Sequence, residues 1–190
     1  SHEIRTPINA ILGLTTLLQR RSPGSELNTS LDKIAGAGQH LLGIVDNILD
    51  LSKIEAGKLK LEDIPLRVES IVSNVVSMLY ERSRGKGLEL LSEIPAIPSG
   101  LVGDPNRLQQ ALLNYVSNAI KFTDAGRVSI IVAVLEVAED HAMLRFQVSD
   151  TGIGIAPHAL RRLFGSFEQA DNTTTRRYGG TGLGLAITKR

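Results

Sequence analysis

The sequence predicts an α+β fold in two parts: an antiparallel helical hairpin over residues 1–57, then a domain over residues 58–190 in which an antiparallel or mixed sheet is backed by helices. Three observations carry this. Apolar and small residues repeat by four and three from Leu27 to Ser52, the signature of a long pairing helix. Near Gly57 that pattern stops, and short strand-like and helix-like segments begin to alternate. Two β-branched or alternating segments, Arg127 to Val137 and Ala142 to Val148, flank the polar Glu139-Asp140-His141, as in a β-hairpin.

The elements follow in order. Ile4, Ile8, Ile11 and Leu18 recur by four, three and seven and mark a first helix; Pro7, which lacks a backbone donor, is expected to loosen its first turns. Ser22-Pro23-Gly24-Ser25 breaks it. In the second helix Leu27, Leu31, Ile34, Gly38, Leu41, Val45, Ile48 and Ser52 form a heptad seam, read as the helix-pairing surface. Leu12, Leu17, Leu42 and Leu49 exceed what one antiparallel pair buries, so either a second copy, giving a four-helix dimer, or the rest of the chain must cover them. Leu59 and Leu61 alternate with lysine and glutamate like a half-buried strand. Val68, Ile71, Val72, Val75, Val76 and Leu79 share one helix face, closed off by Gly85 and Gly87, and a strand follows from Leu88 to Ile94. Asp104-Pro105 supplies an N-cap acceptor and a proline at the first helical position, so a helix is expected from about Pro105 to Ile120.

Composition narrows the function. The chain has 190 residues, 42% of them hydrophobic, enough for an ordinary core. Its 21 basic and 20 acidic residues leave a net charge of +1, which excludes the strong field of a nucleic-acid or membrane-surface binder, so any phosphate site must be local. Without cysteine there is no disulfide framework and no thiolate metal site. No apolar run approaches the ~20 residues that span a bilayer, so a membrane anchor would lie outside these residues.

Chemistry concentrates in three segments. On the helix after Pro105, Leu108, Ala111, Leu112, Tyr115, Val116 and Ala119 form the expected core stripe, while Asn114, Asn118 and Lys121 share another face. Amide oxygens suit a Mg²⁺ ion that binds mainly through nucleotide phosphates, and a lysine can neutralise phosphate charge; a merely solvated helix face carries the same residue types. In VSDTGIGIAP a strand ends at Asp150, and Gly152 and Gly154 allow a sharp turn or the close approach of a flat ligand. The carboxylate can accept the amino hydrogen of adenine, although a plain Asp-Thr-Gly turn reads the same. In RRYGGTGLGLAITKR, Gly179, Gly180, Gly182 and Gly184 precede a helical start beside Arg176 and Arg177, a phosphate cradle or a generic flexible loop. The spacing is neither that of the P-loop nor that of the dinucleotide fingerprint.

SHEIRTP, the asparagine helix, DTGIGIAP, LFGSFEQAD and GGTGLGLAI occur together and in this order, and the series resembles the histidine, asparagine, first glycine, phenylalanine and second glycine boxes of sensor histidine kinases. The resemblance covers nearly the whole chain. It implies that residues 1–57 are a dimerisation and phosphotransfer hairpin, half of a dimeric four-helix bundle. Residues 58–190 would then be an ATP-binding α/β sandwich with a mixed, mostly antiparallel sheet, of the type shared with gyrase, Hsp90 chaperones and MutL, and truncated at its C-terminal end. It makes His2 the phosphoacceptor, Asn118 the principal Mg²⁺ ligand with Asn114 assisting, and Lys121 a phosphate contact. Asp150 would hold adenine, Gly152 and Gly154 would shape its pocket, and Phe164 and Phe167 would belong to a lid. Gly180, Gly182 and Gly184 would close over the phosphates, with Arg176 or Arg177 reaching the γ-phosphate.

Those residue types fit the chemistry. Attack on the γ-phosphorus of ATP needs a neutral imidazole, and imidazole titrates near neutrality. Glu3 can take the proton from the other ring nitrogen. Thr6, one turn from His2, could orient water against a phosphorylated partner, a phosphatase role. The implied partners are a second copy of the chain and the receiver domain of a response regulator, whose aspartate takes the phosphoryl group; no nucleic acid is expected. The need for ATP places the core in the cytoplasm, with any inner-membrane anchor elsewhere in a longer parent. Two other classes remain open: a nucleotide-binding regulatory module without catalysis, and a gyrase- or Hsp90-type ATPase. The latter needs a glutamate base on the asparagine helix, where Asn114 stands instead. His40, His141 and His158 have no motif context.

Overall fold

The computed structural model describes residues 2–21 and 26–160, together with positions 185 and 188. Internal contacts divide the chain into two compact units, one ending at Leu59 and the other starting at Lys60.

The first unit is a pair of packed helices, α1 (His2–Arg21) and α2 (Glu26–Glu55). α1 runs through Pro7 without interruption. Close approach is made possible by Gly38: a Cβ there would lie 3.0 Å from Cδ2 of Leu12 and 3.8 Å from Cγ2 of Ile8. Ile8, Thr15, Leu31 and Leu51 are buried, and Leu12, Leu42, Val45 and Leu49 are half-buried. The heptad seam expected from the sequence is therefore split. Leu31, Gly38 and Val45 turn inward, but Leu27, Ile34, Leu41 and Ile48 are 42–52% exposed, and Leu42 and Leu49 take inner places. The face that α2 presents to α1 is centred on Leu31, Gly38 and Val45 with the flanking Leu42 and Leu49, so it is rotated away from the expected seam. The remaining seam residues leave an outward stripe of period seven, joined on α1 by the exposed Ile11, Leu14 and Leu18.

The second unit contains β1 (Ile64–Pro65), α3 (Val68–Gly85), β2 (Glu89–Glu93), β3 (Val102–Gly103), α4 (Pro105–Phe122), β4 (Arg127–Val137), β5 (Ala142–Asp150) and the short α5 (Pro157–Leu160). Residues 58–63 form no strand, contrary to the alternation of Leu59 and Leu61, and Leu61 is exposed. Pairing begins only at Ile64, where Val102 and Gly103 supply an antiparallel partner. The main sheet has the order β2-β4-β5, with β2 parallel and β5 antiparallel to the central β4. It is a mixed sheet, and α3 and α4 pack together against one of its faces. Val128, Ile130 and Val132 of β4 meet Val68, Val72 and Val75 of α3 and Leu112, Val116 and Ile120 of α4 in one continuous core. The alternate residues Arg127, Ser129 and Ile131 line the opposite face with Leu91, Glu93 and Ser149, around a shallow cleft of about 290 Å³. Among the described residues, no helix is long and apolar enough to cross a membrane.

Candidate active site

α4 carries the asparagines, and its start is set by one carboxylate. Asp104 Oδ1 accepts from the Arg107 N–H at 3.0 Å and Oδ2 from the Glu62 N–H at 3.2 Å, so this N-cap also holds the segment leading into β1. Pro105 occupies the first turn, where its missing donor costs nothing. Burial of Leu112, Val116, Ala119 and Ile120 then fixes the rotation of the helix. Tyr115, expected in the core stripe, is 36% exposed at its edge, and Ile120 fills the core instead. With that face inward, Asn114, Asn118 and Lys121 are half-buried on the adjoining side. Desolvation, and secondly the Arg82 guanidinium, hold the Lys121 ammonium below the usual lysine pKa. Its Nζ lies 4.8 Å from the centroid of the Phe122 ring. Two cations held near each other at a partly desolvated place suit an anionic ligand.

The far end of α4 abuts the turn that follows β5. Thr123, fully buried, donates from Oγ1 to the Ala119 carbonyl at 2.7 Å, and the Ile153 N–H donates to the Phe122 carbonyl at 3.3 Å. A Cβ on Gly152 would overlap that same Phe122 oxygen and come within 2.8 Å of Asp150 Oδ1 and 2.9 Å of Thr123 Oγ1, so only glycine fits. Asp150 Oδ1 accepts from the Gly152 N–H at 2.9 Å, which fixes the carboxylate; among the described residues no other group bonds to it, and the side chain is exposed. Gly154 turns the chain with φ +68°. Thr151 clamps the turn to the start of β4: its Oγ1 accepts from the Arg127 N–H at 3.1 Å and donates to the Ala125 carbonyl at 3.2 Å.

The turn that bears Asp150, Gly152 and Gly154 is thus seated, through Gly152 and Ile153, against the end of α4 next to Lys121, with Asn118 and Asn114 about one and two turns further back along that helix. The 290 Å³ cleft shares Asp150 with that turn but otherwise runs along the sheet face away from α4, with Asp150 and Thr151 at one end. His2, Glu3 and Thr6 lie in the first turns of α1, in the other unit, and Thr6 is exposed. Phe164, Phe167, Arg176, Arg177, Gly180, Gly182 and Gly184 lie outside the described residues. Sequence reasoning passed over Thr123, Thr151 and Lys86, whose Nζ donates to the carbonyls of Ile120, Lys121 and Thr123. The available signal was general rather than motif-like: the last carbonyls of a helix need donors, and a lysine or a threonine hydroxyl nearby can supply them.

A helical hairpin whose first turn bears the histidine, followed by a layered unit in which an asparagine helix abuts an Asp-Thr-Gly turn, is the arrangement of a histidine kinase core. The chain belongs to that family: residues 1–57 match the His Kinase A (phospho-acceptor) domain, and residues 103–190 match the histidine kinase-, DNA gyrase B-, and HSP90-like ATPase family. Along its whole length it is similar to the sensor protein GacS of Pseudomonas syringae pv. syringae, with 47% identity over 191 residues and 21% of that protein covered. It is likewise similar to the signal transduction histidine-protein kinase BarA of Escherichia coli K12, with 44% identity over 191 residues and again 21% covered. Among solved structures it is similar to full-length ShkA in complex with AMPPNP, with a TM-score of 0.76 and 34% identity, over 99% of this chain and 38% of that one. The chain therefore spans about a fifth of the length of the curated relatives it matches.

Proposed function

We propose that this chain is the catalytic core of an ATP-dependent protein histidine kinase, which phosphorylates its own His2 and passes the phosphoryl group to an aspartate in the receiver domain of a response regulator. The observation that carries the reading is the junction at the end of α4. Gly152 is seated on the Phe122 carbonyl, so the fixed Asp150 carboxylate and the Asn118–Lys121 turn belong to one rigid corner. A nucleotide laid across that corner has its adenine amino group at Asp150 and its phosphates toward Lys121. Asn118, assisted by Asn114, offers the neutral oxygen ligands that a phosphate-bound Mg²⁺ accepts, and the half-buried position of both fits that role. Such an ion, when bound, neutralises phosphate charge.

On this reading residues 1–57 are the phosphotransfer hairpin and residues 58–190 the ATP-binding unit, in keeping with the division of contacts after Leu59. The His2 imidazole attacks the γ-phosphorus, its P–N bond forms as the bond to the ADP oxygen breaks, and Glu3 takes the proton from the second ring nitrogen. Thr6 serves a separate phosphatase activity, orienting water that hydrolyses the aspartyl phosphate of a receiver and releases inorganic phosphate. The outward heptad stripe of Leu27, Ile34, Leu41 and Ile48 supports a homodimer, since a second hairpin brings the apolar surface that covers it. Phe164 and Phe167 belong to the lid, Gly180, Gly182 and Gly184 close over the phosphates, Arg176 or Arg177 reaches the γ-phosphate, and the core works in the cytoplasm, where ATP is supplied.

The test is incubation of the chain with Mg²⁺ and ATP labelled at the γ-phosphate, beside a His2→Gln variant. Acid-labile, alkali-stable label that is absent from the variant is expected. Free phosphate without labelled protein would instead mark a gyrase-type ATPase, and nucleotide binding with neither product a regulatory module.

A further inference from the structure

α3 ends where its last turn meets Lys86. This residue is the C-cap of α3, with φ −97° and ψ −2°, and its own N–H donates to the Ser83 carbonyl at 3.1 Å. Gly87 follows at φ +68° and swings the chain into β2, which leaves the Lys86 side chain directed at the C-terminal end of α4. There Nζ donates to the carbonyls of Ile120 at 2.9 Å, Lys121 at 2.9 Å and Thr123 at 3.1 Å. An ammonium has three hydrogens, and three carbonyls take them, so none is left for a phosphate.

The carbonyls at a helix C-terminus lack partners within the helix and form the negative end of its dipole, so a cation placed among them is favoured twice, by hydrogen bonding and by charge. Two further groups secure the same end: Thr123 Oγ1 bonds the Ala119 carbonyl, and the Ile153 N–H bonds the Phe122 carbonyl. The second of these is the seam against which Gly152 sits. Lys86 is the link in this set that comes from another helix, and it holds the turn bearing Lys121 at the position where the Asp150–Gly154 segment is received.

We propose that Lys86 is a positioning residue for the nucleotide site: it bonds the last turn of α4 so that Lys121 and the Gly152 turn keep the spacing that ATP requires. This rests on the reading of that junction as the nucleotide site. Lys86 is an exposed residue whose ammonium alone reaches the end of α4, so its loss should disturb the site more than the fold.

The experiment measures ATP affinity by calorimetry, and the thermal midpoint, for the chain and for its Lys86→Met and Lys86→Arg variants. Lys86→Met is expected to weaken ATP binding roughly tenfold, with the midpoint within a few degrees of the parent. Lys86→Arg, which keeps the charge and several donors, is expected to recover most of the loss. Equal affinity for Lys86→Met and the parent overturns the proposal, as does a loss that Lys86→Arg does not reverse. If the parent itself binds no ATP, the nucleotide reading has failed first and this inference falls with it, a result visible before any variant is compared. Should Lys86→Met not fold, ¹⁵N-lysine labelling of the parent decides. A slowly exchanging Nζ–H signal, assigned by its loss in Lys86→Arg and unmoved by ATP, is expected, and its absence overturns the proposal.

Discussion

The two units of this chain achieve compactness in opposite ways. The second closes a core of its own: Val68, Val72, Val75, Val116, Ile120, Val128 and Ile130 are almost wholly shielded by the two helices and the sheet of that unit. The first leaves Leu14 and Leu17 more than half exposed, and the Leu27, Ile34, Leu41 and Ile48 stripe about half exposed. Helices in one pair have a single mutual stripe to bury, whereas a sheet offers a whole face to helices laid on it. The difference teaches that apolar content does not by itself give a self-sufficient domain; the geometry of the layers decides whether it can be spent within one chain.

The comparison can be broken most forcefully in the core. Ile120→Ala leaves a cavity among residues that cannot easily collapse, and is expected to cost about 2–5 kcal/mol in the transition of the second unit, independent of protein concentration in calorimetry. The hairpin should behave otherwise. Ile34→Lys with Leu41→Lys is expected to weaken self-association roughly tenfold per site in sedimentation equilibrium and to lower a concentration-dependent transition, while the second unit melts as before. A hairpin transition that ignores dilution would end the contrast. A smaller effect tests the linkage at the start of α4. Asp104→Ala removes the acceptor of both the Arg107 and the Glu62 N–H groups and is expected to cost roughly 1 kcal/mol, read as faster amide exchange at those two positions.

The smallest effect concerns Lys121. Its pKa is lowered in the folded chain by burial and then by Arg82, so the folded state holds that proton less firmly than the unfolded chain does. The charged lysine is therefore a cost at neutral pH, and the cost is relieved as pH rises through the lowered folded value toward the ordinary one. Lys121→Met is expected to raise stability at neutral pH by a few tenths of a kcal/mol, the residue being partly solvated, and the gain should shrink in alkali. ATP affinity should fall in the same variant, separating its service to the site from its cost to the fold.

Much of this was legible in the residues. Asp104-Pro105 announced the start of α4, the two β-branched runs announced the β4–β5 hairpin, and the valine-rich face of α3 announced its packing, because each is a local rule with a local cause. Three features were not. Leu59 and Leu61 alternate like a strand, but a strand exists only where a partner runs, and that partner, Val102–Gly103, joins the chain at Ile64. The α2 heptad showed that a helix must pair, yet periodicity cannot say which of its two apolar positions meets α1. Asn114, Asn118 and Lys121 were visible as one face, and the Asp-Thr-Gly turn as a separate feature. Thr123 bonds only four residues back, to Ala119, but the seating of Gly152 on Phe122 and the contributions of Thr151 and Lys86 depend on contacts between distant segments that no spacing encodes.

The parallel pairing of β2 with β4 has one more consequence, for the order in which the molecule assembles. α4 lies inside the crossover that joins those two strands, and the register Glu89 to Arg127 is met only when the whole loop closes. The β4–β5 hairpin and the α3–β2 turn can form early from neighbouring residues, but the asparagine helix reaches its place only with the slowest, most non-local pairing in the sheet. The functional corner is therefore expected to be complete only once that loop has closed.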